Sequence, residues 1–437
     1  MKIALIGQDV PTLLPAILTD LLFAGGEKDA GIRVCESNPD MRELIGGYGA
    51  AIYRQAGLKT GFYACGSREE ALEGADAVIY AGDCQPASRF DMDRSALEGE
   101  GEDDPGLTDQ ARVNGGLGGL MHALRAGEEV LKLCGDMDRA GLNGRALVIN
   151  LGQPVARTTE IFINRGYRCF GMGRPPVKGP NGLEALSKHL KARPEDVTAV
   201  MAGLPGFAFM VEMRNGSADL MPKLIRASKN GELGKLSRRW TEWWGAVPAG
   251  DVTDHAEFLQ AQPDFIPEER PAFGETVERR KDRILWMNTV KEKGAGDGEG
   301  AMAQLLLLSK AQPVRPMRLA LMLLRNETGS MHGVAGRNNG EIPGLPPEAV
   351  TESSIVLENG AWVRRGIALP DALLEIMASV DFANRLAAKA AEGDRAALRE
   401  YIEEDPALDG LDRLYCMDVA DALIRANSDV LPRWSEE

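Results

Sequence analysis

Through the first 205 residues short apolar runs alternate with segments of helical length. Runs 2–6, 32–36, 61–65, 77–81, 146–151 and 169–172 are too short for helices and almost continuously apolar, as parallel strands covered on both faces are. Between them, 11–23, 41–56 and 119–134 space their apolar residues at helical intervals. The alternation predicts an α/β fold built on a doubly wound, Rossmann-like parallel sheet. Runs 198–204 and 207–213 predict two more strands joined at Pro205-Gly206. We read that junction as the hinge between a first domain, 1–205, and a second, 206–437.

Beyond about residue 215 helices dominate, so the second half is expected to be α+β. Residues 98–105 (EGEGEDDP) and 291–300 (KEKGAGDGEG) read as solvated loops by composition. Asn359-Gly360 between two apolar runs predicts a type I′ hairpin, and the tail from Asp371 to Asn427 reads as helices broken at Asp405-Pro406.

A hydrophobic content of 44% over 437 residues is enough for two packed units. The formal charge of −15 argues against nucleic acid or an anionic membrane as partner. Six cysteines, Cys35, Cys65, Cys84, Cys134, Cys169 and Cys416, lack any CxxC or zinc-like spacing. Reduced thiols in a soluble cytoplasmic protein are the expectation. No apolar run reaches the length of a membrane span.

The first strand leads into Gly7-Gln-Asp-Val-Pro-Thr12, which keeps one glycine of a dinucleotide-binding turn. Glu36, at the end of the second strand, can accept both ribose hydroxyls and would repel a 2′-phosphate, which favours NAD over NADP. The alternative for Glu36 is a solvated strand end, and for the turn an ordinary strand–helix connection.

Several motifs follow in a telling order. They are Glu36-Ser-Asn38; Arg89 with Asp91 and Asp93; Gly116-Leu-Gly-Gly119 with Ala123-Leu-Arg125; Asn150 with Gln153-Pro154; His255-Ala-Glu257-Phe258; and Gly340-Glu-Ile342 through Val350-Thr-Glu352. In this order they resemble the family-4 glycoside hydrolases over nearly the whole chain. The resemblance implies a two-domain plan shared with the lactate and malate dehydrogenases, NAD as cofactor and a homodimer. Within it, Gly7, Glu36, Asn38, Gly116, Gly118 and Asn150 are the expected cofactor contacts. The departures are equally specific. Where that family has a metal-binding cysteine and histidine, this chain has Gly171-Met-Gly173-Arg174 and Gly203-Leu-Pro-Gly206. Glycine side chains offer no ligand atoms, so no metal is expected. The family's tyrosine base has become Phe258 or lies elsewhere, and no tyrosine occurs between Tyr167 and Tyr401.

The resemblance further implies cleavage by redox chemistry rather than by paired carboxylates. Hydride passes from sugar C3 to NAD⁺, the C2 proton leaves, the C1 substituent is expelled, water adds and the ketone is reduced again. Without a metal, fixed cations must stabilise the developing enolate. Arg174 is the candidate, its alternative being a surface arginine stiffened by Pro175-Pro176. His255 and Glu257 are the candidate bases. Asn150 and Gln153 can bind nicotinamide or sugar hydroxyls. The missing metal and the arginines resemble a metal-free branch of NAD-dependent sulfoquinovosidases. An anionic glycoside is then the expected partner, with Arg89, Arg279 and Arg283 on the sulfonate and Trp240, Trp243 and Trp244 as a sugar wall or as core. A plain NAD-dependent dehydrogenase of a sugar or hydroxy acid, and a non-catalytic NAD-binding regulator, are the competing readings.

Overall fold

The computed structural model describes residues 1–23, 30–58, 61–82, 87–100, 105–173, 179–260, 281, 284–285, 287–288, 291, 305–306, 309, 314–363 and 366–435. Strands β1 (Lys2–Ile6), β2 (Gly31–Cys35), β3 (Phe62–Cys65), β4 (Ala77–Tyr80), β5 (Leu147–Asn150) and β6 (Arg168–Gly171) form a parallel sheet in the order β3-β2-β1-β4-β5-β6. The first strands read from the sequence are all present, within a residue or two at their ends. Alternate residues of β1 pack in opposite directions, Ala4 and Ile6 into one apolar cluster and Ile3 and Leu5 into another. Helices Gly116–Arg139, Val155–Asn164 and Asp371–Ala391 contribute to the first cluster, and Val10–Phe23, Pro39–Gln55 and Pro316–Leu324 to the second. Both faces of the parallel part are therefore covered, which explains its continuous apolar runs.

The sheet does not stop at β6. It continues through β11 (Gly329–Arg337), β12 (Val350–Glu358), β7 (Val197–Leu204), β8 (Phe207–Asn215) and β10 (Val247–Pro248), with β9 (Ala218–Asp219) on β8 and β13 (Ala361–Val363) on β12. Pro205-Gly206 is the two-residue turn of the β7–β8 hairpin, Gly206 taking a φ of +79°. The division expected at 205/206 thus falls inside one hairpin of one continuous sheet. Asn359 and Gly360 both take positive φ between β12 and β13, as a type I′ turn requires.

Two expectations shift. The helix Ala87–Glu100 runs into the acidic stretch and takes its first three residues, because glutamates are good helix formers whatever their charge density. In the second half, β11 had no counterpart in the sequence reading. The segment expected as a loop at 291–300 lies outside the described residues apart from Lys291. No helix among the described residues is long and apolar enough to cross a membrane.

Candidate functional site

One row of paired residues crosses the carboxyl edge of the parallel strands. Ile6 pairs with Tyr80, Tyr80 with Asn150, Asn150 with Gly171, Gly171 with Ala335, Ala335 with Glu352, Glu352 with Gly203 and Gly203 with Ala208. Residues paired across strands point to the same face of a sheet. Open α/β sheets bind ligands in the crevice beyond this edge, where the strand order reverses, here between β1 and β4.

At that reversal Gly7 takes a φ of +123°, and a Cβ there would lie 2.2 Å from the Ala81 carbonyl. No other residue fits so close an approach of two backbones. The turn delivers the Val10–Phe23 helix with its N-terminus at the crevice. Glu36 follows β2, and its carboxylate accepts the Asn38 N–H at 2.8 Å. Asn38 itself caps the Pro39–Gln55 helix, accepting from the N–H groups of Asp40 and Met41. These residues fit the adenosine half of a dinucleotide: a backbone cradle, a helix N-terminus and a half-exposed carboxylate beside it.

At the other end of the row sit carboxyl groups. Glu352 on β12 is 1% exposed, and its Oε2 has no hydrogen-bond partner among the described residues. Burial, reinforced by the Asp254 charge, pushes its carboxyl up to about 8. Glu257 follows the Val252–Ala256 helix and accepts from the Asn114 backbone N–H at 3.1 Å and the Asn114 amide at 2.6 Å. Burial and Asp254 raise it too, to about 7, the Asn114 donors and Arg112 opposing. These donors and Arg112 account for the smaller rise. A carboxyl that titrates near neutrality can give or take a proton at working pH. Glu352 stood inside a motif of the sequence without a role assigned to it, and Asp254 was not singled out.

Several candidates are engaged elsewhere. His255 is 2% exposed; its Nε2 lies 2.7 Å from the Ala208 carbonyl and its Nδ1 3.0 Å from that of Asp251. Its ring packs against Phe207, Phe209 and Trp240, and burial lowers its pKa. Both ring nitrogens face backbone carbonyls, so neither is open to the crevice as the base expected of it. Trp240 and Trp244 stack in the same cluster, while Trp243 is half exposed beneath Arg239. Asn150 is fully buried, donating to Thr158 and Thr159 and accepting from Gly152 N–H, so its amide fixes the turn. Gln153 lies half-buried beside it.

The Gly-rich loop is likewise tied inward. Gly116 N–H donates to Asp405 at 2.8 Å and Gly118 N–H to the Gln110 carbonyl at 2.9 Å. Tyr401 donates to the Gly116 carbonyl at 2.9 Å and receives a hydrogen bond from the buried Arg157. These glycines are needed for packing, since a Cβ on Gly118 would lie 2.6 Å from Arg112 N. Arg89 forms a bidentate pair with Asp429. Arg174, Arg279 and Arg283 lie outside the described residues.

Gly173 and Gly206 stand where the resemblance places the side-chain metal ligands. A Cβ on Gly173 would rest in ordinary contact, 3.5 Å from Val155 and 3.9 Å from Glu352 Oε2, and one on Gly206 would lie 3.4 Å from the Phe258 ring. Neither glycine supplies a donor atom, and no group of three or more His, Cys, Asp or Glu among the described residues is arranged to hold a metal.

No protein-family model matches the chain, and no curated protein does. Solved structures do match. A 6-phospho-α-glucosidase from gut microorganisms, in complex with NAD and Mn²⁺, superposes with a TM-score of 0.73 at 15% identity, over 99% of this chain and 99% of that one. A 6-phospho-β-glucosidase from Thermotoga maritima, with manganese, NAD⁺ and glucose-6-phosphate, gives 0.69 at 18% identity over 98% and 99%. At these identities the likeness establishes architecture: from β1 to its last helix, this chain has the fold of those glucosidases.

Proposed function

We propose that this chain is a cytoplasmic NAD-dependent glycoside hydrolase that acts by oxidation at sugar C3, elimination, water addition and reduction, without a divalent metal, on glycosides of sulfoquinovose. The observation that carries the reading is the carboxyl-edge row, with the Gly7 cradle at one end and the near-neutral carboxyls Glu257 and Glu352 at the other. Gly7, the following helix and Glu36 would hold the adenosine half of NAD, which supplies oxidation of the C3 hydroxyl and its reversal. Glu257 is aimed by Asn114 and serves as the base for the C2 proton, a role its pKa near 7 suits. Gln153 reaches sugar hydroxyls. The glucosidases of like fold are described with NAD and a sugar phosphate, which supports a dinucleotide and an anionic sugar side by side. Glycines in place of metal ligands support the metal-free branch, and Arg174, Arg279 and Arg283 are proposed to meet the sulfonate as guanidinium forks.

The test is incubation with NAD⁺ in D₂O and nitrophenyl sulfoquinovoside, glucoside, galactoside or glucuronide. Sulfoquinovose carrying deuterium at C2 is the expected product. Cleavage of neutral sugars alone removes the sulfonate assignment, and cleavage without C2 exchange removes the redox mechanism. Net accumulation of NADH identifies a dehydrogenase instead.

A further inference from the structure

Nothing in the fold explains why a carboxyl stands at Glu352. It is 1% exposed, and its Oε2 lacks a partner among the described residues, a destabilising arrangement that native structures rarely keep without use. Small residues flank it in the sheet, Gly203 on β7 and Ala335 on β11. The space before Oε2 is the space a side chain at Gly173 would enter, since among the described residues the nearest atoms to a Cβ there belong to Val155, at 3.5 Å, and to Oε2, at 3.9 Å. Glu352 stands two strand spacings beyond β6, about 10 Å along the row. That is the side of the crevice away from the β1–β4 reversal, where the sugar rather than the adenosine must lie.

We propose that the Glu352 carboxyl is the catalytic acid that protonates the departing oxygen at sugar C1 and then, as carboxylate, takes a proton from the attacking water. The inference rests on the redox-elimination reading. Once C3 is a ketone, the C2 proton passes to Glu257 and its electron pair forms the C1–C2 double bond as the C1–O bond breaks. The leaving oxygen takes the Glu352 proton. Water then adds its oxygen to C1 and returns a proton to Glu352, while C2 regains one from Glu257. Both carboxyls end as they began, and no further reagent is consumed. The elevation of Glu352 to about 8 keeps it protonated and ready to donate at neutral pH.

The experiment compares wild type with Glu352→Gln and Glu352→Asp on methyl and 4-nitrophenyl sulfoquinovosides. For Glu352→Gln, methyl glycoside turnover falls by roughly 100-fold or more, while the nitrophenyl compound, whose leaving group needs no proton, loses at least about tenfold less, keeping only the loss from slower water addition. Glu352→Asp, which keeps the acid, recovers part of the methyl activity and is read by itself should the glutamine variant not fold. Infrared difference spectra on raising the pH lose a protonated-carboxyl band in wild type that Glu352→Gln lacks, a readout independent of turnover. Equal losses on both glycosides, or no loss, overturn the assignment while wild-type C2 exchange leaves the reading intact. A wild type that cleaves neither glycoside overturns both.

Discussion

The Arg125 guanidinium lies 2.8 Å from the Asp93 carboxylate, with 3% and 1% of the two side chains exposed. Asn427, which follows the helix Arg413–Ala426, completes the group by donating to Asp93 at 2.9 Å and accepting from Arg125 at 3.1 Å. Both charged residues belong to motifs that resemble a catalytic family, yet here they are a buried brace. Removing one partner strands the other charge away from water. Arg125→Ala should therefore cost roughly 3–5 kcal/mol of stability in denaturant titrations, whereas Asp93→Leu with Arg125→Met should cost much less.

Glu36→Ala should weaken NAD binding by roughly 1.5–3 kcal/mol in calorimetry, the scale of hydrogen bonds to a charged group. Unchanged affinity would move the cofactor away from the end of β2.

Gly7→Ala adds a Cβ that would sit 2.2 Å from the Ala81 backbone, at a φ of +123° that an L side chain rarely takes. A lowered melting temperature and loss of NAD binding are expected together. A variant with wild-type melting and affinity would show that β1 and β4 can separate here.

Stability should fall as the pH rises from about 5 to 9. The folded Glu352 carboxyl holds its proton up to about 8, against 4.5 as its ordinary value. Its stabilising contribution is complete below the unfolded value and lost as pH climbs through the folded one, to a total of roughly 3–5 kcal/mol. Asp381, raised to about 6 by burial against the opposing pull of Arg385, adds a smaller fall at lower pH. Urea midpoints across this range should be flatter in Glu352→Gln, and an unchanged slope would place the titration elsewhere.

Chelator-treated enzyme should keep its rate with NAD⁺, and Mn²⁺ should not raise it, because Gly173 and Gly206 supply no ligands. Loss on chelation with recovery on Mn²⁺ would mean that other side chains hold an ion.

The parallel strands were legible because strands buried on both faces write continuous apolar runs. β11, Gly-Ser-Met-His-Gly-Val-Ala-Gly-Arg, was not, since glycines and polar residues break both the run and the alternation. Side-chain roles were the harder part. Arg89 reads as a free cation until Asp429, 340 residues away, is folded against it. His255 reads as a base until the Ala208 carbonyl closes on Nε2. Glu352 was visible inside a motif, but its burial depends on β7 and β11 arriving on either side. Such facts depend on long-range contacts, and no local spacing encodes them.

Tyr401 and Asp405 hold Gly116 across sequence separations of 285 and 289 residues. During synthesis the strands around Gly7 can emerge from the ribosome and pair early, but the loop at Gly116 has no clamp until the helix containing Tyr401 follows it out. The nascent protein thus passes through a stage with an assembled sheet and a loose glycine loop beside it. Long loop closures of this kind are slow and leave apolar surface open in the meantime. Ordering of the glycine loop is therefore a late event, following the sheet that it borders.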